Sequence, residues 1–444
     1  MSPDYADQEP AENATDGLVH AAWHSLLWLV VGNGIGVMLA ILLLLPGLNL
    51  WLGEWTYGRW IVVHMNLALY GWSSLPMVAF LFAVYGADRG ATARWCRPAL
   101  WAWSAALVVG AYAWLSGNSS GKLFLDWSGF ARVAFPLAIA GLWILLTVSL
   151  ARKWSAPENA ATRVRAAKVV GLLLLAAVPA ALYIASSPAL YPPVNPATGG
   201  PTGASQLESS LAVVAILLLL PFGLARRKAA RAWAVPAAWW VLAAQSVLCV
   251  ALGRGNTSHH DPLQYLSLGT LLVWIPLTPA YYAAFAWRTE TRGWRQAFLC
   301  WWSGLLLTGW ILFLPGVLDR FKFTDALVGH SFTAMAGFLS ALLIFVMVQL
   351  MGSDGWIFTR GWSFHLWNWS VLAYIGLMSI AGWMEGPHPE FTITLGTARN
   401  TLYALRLLTG VLMLVASLEW FQDAWLLLRE RESGTGQTVQ EATA

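Results

Sequence analysis

The chain has 444 residues, of which 58% are hydrophobic and 11% charged, with a mean hydropathy of +0.58 and a formal net charge of +4. Soluble proteins carry roughly a quarter of their residues as charges, so this composition excludes a chain of ordinary soluble domains. The positive excess requires no nucleic-acid partner, because it falls where membrane topology places basic residues.

The first stretch, "MSPDYADQEPAENATDG", is polar and acidic and reads as a disordered tail over 1–19. Apolar runs of about 20 residues, the length that crosses a hydrocarbon core about 30 Å thick, then recur about twelve times. They fall near 20–46, 61–85, 97–116, 130–150, 166–187, 205–225, 232–252, 263–287, 297–317, 325–350, 366–384 and 400–427. Their apolar character is continuous rather than alternating, so the expectation is helices and not barrel strands. The first run is about 27 residues long and follows an acidic start, which does not suit a cleavable signal peptide. One membrane domain, 20–428, is expected, with lipid as its main surroundings and a second disordered tail over 429–444.

The loops after the even-numbered segments hold about 16 basic residues, including "RVRAAK" and "RRKAAR", against about 6 after the odd-numbered ones. The positive-inside rule then makes both termini cytoplasmic. Cys96, Cys249 and Cys300 are too scattered for a CxxC metal site, a CxxCH haem attachment or a disulfide framework.

In this topology His64 in "RWIVVHMNLALYGW" lies about one turn inside the outer boundary, as does His330 in "TDALVGHSFTAMAGF", while His259 and His260 end the seventh segment on the same side. Polar groups in a membrane are costly and usually face the bundle interior, and imidazole is the usual protein ligand of haem iron, copper and non-haem iron. Four imidazoles at one depth point to a cofactor. A hydrogen-bonded interhelical histidine is the alternative for any one of them. His20, His24, His365 and His388 sit at interfaces or in an outer loop and need no special role. Many of the 29 tryptophans lie at segment ends, as aromatic belts do.

With these residues in place, four stretches carry a resemblance across residues 22 to 428. They are "LVVGNGIGVMLAILLLLPGLNLWLGEWTYGRWIVVHMN", "HHDPLQYLSLGTLLVWIPLTP", "FTDALVGHSFTAMAGF" and "NWSVLAYIGLMSIAGWMEG" followed by "LYALRLLTGVLMLV". In order and spacing they resemble the catalytic subunit of haem-copper oxidases, specifically the C-family cbb-type cytochrome oxidases and the related nitric oxide reductases. The resemblance implies an all-α polytopic membrane protein of about twelve transmembrane helices, a subunit I-like bundle, in a bacterial inner membrane. It makes His64 the axial ligand of a low-spin haem b, His330 the ligand of a high-spin haem, and His259 and His260 ligands of a copper or non-haem iron. A cytochrome c-type subunit becomes the expected electron donor, and O2 or NO the substrate reduced.

The chain departs from the family pattern at three places. The family's helix-10 motif is His-x-His, whereas here the second position is Phe332. Residues two apart on a helix point to nearly opposite sides, so His330 cannot replace the missing ligand. "GASQLESSLAVV" lacks the helix-6 histidine, and "VLAAQSVLCVALGRGN" lacks the helix-7 tyrosine. Glu208, at a comparable outer depth, would complete a two-histidine, one-carboxylate set for non-haem iron; a solvated glutamate at a helix start is the alternative. Arg59, Arg254, Arg399 and Arg406 lie in the same leaflet, where guanidinium groups suit haem propionates. Arg406 is the main candidate, with an ion pair to Glu385, Asp319 or Asp325 as its alternative. Two functions follow: a respiratory reductase, or a divergent homologue that keeps the fold as an electron-transfer or structural subunit with one or no haem. A transporter fits less well, because no segment pair shows broken-helix repeats.

Overall fold

The computed structural model describes residues 13–122, 124–159, 161–194, 207–252, 260–388 and 396–433. His259 and Arg254 lie outside the described residues. Twelve long helices follow one another: α1 (Asp16–Leu44), α2 (Tyr57–Tyr85), α3 (Cys96–Leu115), α4 (Ala131–Arg152), α5 (Thr162–Ala185) and α6 (Leu207–Leu224), then α7 (Ala234–Ala251), α8 (Pro262–Ala283), α9 (Arg292–Leu312), α10 (Asp325–Met351), α11 (Gly361–Glu385) and α12 (Gly396–Glu432). Each of the twelve segments expected from hydropathy is therefore helical.

Ten of them are long and apolar enough to cross a membrane. The remaining two, α9 and α11, are long enough but more polar, because they carry Arg292, Arg295, His365 and Asn368 and a high density of tryptophan. The bundle absorbs part of that polarity: Trp301 Nε1 on α9 donates to Asn368 Oδ1 on α11 at 2.9 Å, and Trp294 Nε1 donates to the Phe358 carbonyl at 2.8 Å. A hydrogen-bonded indole between helices costs far less than one facing lipid.

α10 is the central helix, with an unbroken buried run from Ser340 to Val348, and α5 is peripheral, with only Leu172 and Leu182 buried. Both described ends of the chain meet at one face. There Arg431 near the end of α12 donates to the Ala14 carbonyl and to Asp354 Oδ2, each at 2.6 Å. Counting crossings from that face puts the starts of α2, α10 and α12 at the opposite one.

The helices α2 and α10 are not uniform α-helices. Each widens into a π-helical stretch, Ala68–Ser73 in α2 and Thr333–Leu339 in α10, which frees carbonyls from the i→i−4 ladder. Tryptophans from the following helices take those carbonyls: Trp103 Nε1 donates to Tyr70 O at 2.8 Å and Trp367 Nε1 to Ala336 O at 3.1 Å. Ser74 and Ser340 return their hydroxyls to Leu69 O and Met335 O, each at 2.9 Å.

These correspondences extend to a repeat. His64, Gly71, Ser74, Gly86 and Asp88 on and after α2 have the same spacing as His330, Gly337, Ser340, Gly352 and Asp354 on and after α10. Gly71 lies under Trp28 of α1, and Gly337 under Trp301 of α9. Trp28 Nε1 in turn donates to Ser104 of α3, as Trp301 does to Asn368 of α11. Gly86 and Gly352 both take positive φ, 64° and 63°, where an L side chain would be strained. The two aspartates that follow catch the start of the chain together: Asp88 accepts from the Thr15 hydroxyl and Asp354 from the Ala14 amide, both at 2.8 Å. The units α1–α3 and α9–α11 are thus two copies of one packing design.

Candidate functional site

His64 lies about 10 Å along α2 from its first residue, and His330 about 8 Å along α10, both in the half of the bundle opposite the chain ends. Each ring is backed by a glycine on the preceding long helix of its unit. A Cβ on Gly36 of α1 would sit 3.0 Å from His64 Cε1, and a Cβ on Gly309 of α9 would sit 3.3 Å from His330 Cε1. The repeat therefore presents two imidazoles in equivalent cradles.

At His64 the hydrogen bonding fixes which nitrogen is available. His64 Nδ1 lies 2.9 Å from the Gly32 carbonyl, which can only accept, so Nδ1 carries the proton and Nε2 keeps its lone pair. His330 Nδ1 lies 3.2 Å from Thr308 Oγ1. A hydrogen bond donated from Nδ1 orients a metal-ligating imidazole and leaves Nε2 for the metal. Both rings are half-buried in the bundle. Donor type and tautomer fit a haem-ligating imidazole at His64, and donor type fits one at His330.

No coordinating group stands at position 332. Phe332 stacks on Tyr374 of α11, with ring centroids 4.0 Å apart and planes 22° from parallel. Its counterpart in the other unit is Asn66, which is buried and donates to the Val62 carbonyl of its own helix at 2.9 Å. Both units thus offer one imidazole and no second ligand at the position two residues on.

The remaining candidates have other surroundings. Arg406 on α12 reaches Asp325 at the start of α10, Nη1 to Oδ1 3.6 Å, with both side chains largely buried. Tyr374 and Tyr403 present ring faces to it at 5.4 and 5.8 Å, and Glu385 Oε2 accepts the Asp325 amide at 2.6 Å. Arg406 is therefore held by a carboxylate of this chain, which was the alternative to a propionate. Arg59 donates to the Leu115 carbonyl at 2.8 Å and lies 3.6 Å from an exposed Glu54. His260 lies in the linker between α7 and α8, with Nε2 3.5 Å from Asp319 Oδ1 and both side chains well exposed. Glu208, the second residue of α6, is exposed. Among the described residues no three His, Cys, Asp or Glu side chains converge as a metal site, and His259, the partner expected for His260, falls outside them.

The sequence singles out His64 and His330 as candidates but not the groups that surround them. Gly32, Gly36, Thr308 and Gly309 lie in the apolar body of their helices and carry no chemical signature of their own. The recurring spacing from histidine to glycine, serine and Gly-x-Asp was the available signal.

No protein-family profile matches the chain, and no curated protein matches it. Among solved structures it is similar to a chain of a heme-copper terminal oxidase dimer determined by cryo-EM. The similarity covers 92% of this chain and 83% of that one, at 14% identity and a TM-score of 0.46.

Proposed function

We propose that the chain is a haem-binding, membrane-integral subunit of a respiratory electron-transfer complex, with His64 and His330 as single axial ligands of two separate haem b groups. The observation that carries this reading is the pair of equivalent cradles, in which a backbone carbonyl or a hydroxyl engages Nδ1 and a glycine clears the space beside the ring. A haem would supply one-electron redox chemistry; the protein would supply the axial nitrogen, its orientation and a low-dielectric surround. Reduction of O2 or NO with electrons from a cytochrome c-type partner, in a bacterial inner membrane with both termini cytoplasmic, is the activity that the motif resemblance supports. His259 and His260, with or without Glu208, are the ligands for a second metal, copper or non-haem iron, in that reading. A propionate role for Arg406 requires Asp325 to yield its place, and Arg59 is the second cation of that leaflet.

The divergent, non-catalytic reading draws on Phe332, on the missing helix-6 histidine and on the helix-7 segment without tyrosine. A pyridine haemochrome assay with metal analysis on the purified protein separates the two. Two haems b with copper or iron support the reductase, and one haem with no further metal supports the divergent subunit. Absence of haem removes both redox schemes and leaves only a structural subunit. His64→Ala and His330→Ala are each expected to remove one haem and leave the other.

A further inference from the structure

Two carboxylates and a single arginine meet between α11 and α12 at the face that carries both chain ends. Glu419 and Asp423 stand one turn apart on α12, and Arg360, the residue before α11, reaches both. Its Nη1 lies 3.4 Å from Glu419 Oε1 and its Nη2 3.0 Å from Asp423 Oδ1. The side chains of Glu419 and Asp423 are only 11% and 6% exposed, whereas that of Arg360 is 47% exposed.

The charges in this group do not balance. Each carboxylate gives one oxygen to the guanidinium, and the other oxygens, Glu419 Oε2 and Asp423 Oδ2, are buried with no hydrogen-bond partner among the described residues. The charged groups facing Asp423 are Arg360 and Glu419. The next acid–base set, Asp354, Arg431 and Asp16, lies about 12 Å further along α12, and there the second carboxylate, Asp16, is solvent-exposed. Two carboxylates ionised side by side in a desolvated site repel each other, and one guanidinium neutralises only one of them. A metal cation would face the same guanidinium and find few ligands. A proton removes the surplus charge by forming an O–H bond and gives one orphan oxygen a donor for the other.

We propose that Glu419 and Asp423 share one exchangeable proton, loaded from the water at this face beside Arg360. The reduction of O2 or NO consumes protons, so this pair would be an entry group for them; that purpose rests on the reductase reading, whereas the proton site itself does not. Exchange is local: the carboxylic O–H gives its proton to water that reaches the half-exposed Arg360, and the pair becomes a dianion.

Infrared difference spectra between neutral and alkaline pH, on the full chain in lipid nanodiscs, test this directly. The wild type is expected to show the C=O stretch of a protonated carboxyl at neutral pH, shifted down in D2O. Aspartate labelled with 13C at the carboxyl should move part of that band without any substitution. Asp423→Asn and Glu419→Gln should each abolish this component, because the remaining carboxylate then pairs one to one with Arg360. Glu385→Gln at the opposite face should leave it in place, and Arg360→Gln should raise it about twofold. A wild-type spectrum without such a band, or a band that survives both single substitutions, overturns the proposal. The label experiment decides the matter if the variants do not fold. The band is read whatever the haem content, so failure of this site and failure of the reductase reading are separate results.

Discussion

Replacing Gly71 by alanine tests the packing under the π-helical stretch of α2. A Cβ at this position would stand 2.5 Å from Trp28 Cβ, an atom fixed to the α1 backbone that no rotamer change can remove, and 2.8 Å from Trp28 Cγ. Overpacking of this kind costs about 1–3 kcal/mol, and an obstacle next to the backbone belongs at the upper end. Alanine regains about 1 kcal/mol over glycine in helix propensity. The net expectation is a loss of about 2 kcal/mol. Gly337→Ala, its counterpart in α10, meets Trp301 at 2.8 Å through Cδ2, a ring atom that can tilt. The overpacking there falls to the lower part of the range and nearly cancels the propensity gain, leaving a net loss of less than about 1 kcal/mol. Both variants can be ranked by SDS-induced unfolding in mixed micelles, followed by tryptophan fluorescence and circular dichroism. Wild-type stability for Gly71→Ala, or the reverse order of the two variants, would refute the reasoning.

The Arg406–Asp325 pair offers a second measurement. Asp325→Ala leaves a buried guanidinium without its carboxylate and should cost about 3 kcal/mol, whereas Asp325→Leu combined with Arg406→Met should recover most of that loss. A double variant no more stable than the single one would contradict this account. Gly36→Ala brings a Cβ to 3.0 Å from the far end of the His64 ring, so the ring rather than the backbone must move. Its unfolding midpoint should barely change, while the haem-to-protein ratio falls; Gly309→Ala, at 3.3 Å, should show a smaller drop.

Hydropathy made the twelve helices legible, because in lipid any continuous apolar run must close its own backbone hydrogen bonds. The least apolar of the twelve are α9 and α11, and part of their polarity turns inward. Trp301 and Asn368 satisfy each other across the two helices, and Trp294 donates to the Phe358 carbonyl. The histidines were legible as costly residues at one depth, but their holders were not. A glycine in an apolar run looks the same whether it backs an imidazole or faces lipid, and only the tertiary contact tells them apart. Depth counted from segment ends also gave no sign that His260 would lie in the exposed linker beside Asp319. The π-helical stretches were invisible in composition. Each is set by contacts distant in sequence, the indoles of Trp103 and Trp367, which take the freed carbonyls.

The two units depart from each other where coordination would be completed. The position two residues after the histidine is Asn66 in one, turned back on its own helix, and Phe332 in the other, stacked on Tyr374. Neither side chain supplies an axial nitrogen, and no other histidine of the described residues shares either cradle. A haem held by His64 or by His330 would thus have one protein ligand and one open coordination position. Carbon monoxide added to the reduced protein should bind in a stoichiometry equal to the total haem content, and the Soret change should titrate both haems. Binding to half of the haem would show that one of them has a second protein ligand. That ligand would then have to come from His259 or another residue outside the described segments, or from a side chain that leaves its present contact. Repeating the titration with Phe332→Ala separates those cases, since removing the phenyl ring opens the space against Tyr374 without adding a nitrogen. An unchanged stoichiometry in that variant places the second ligand elsewhere in the chain.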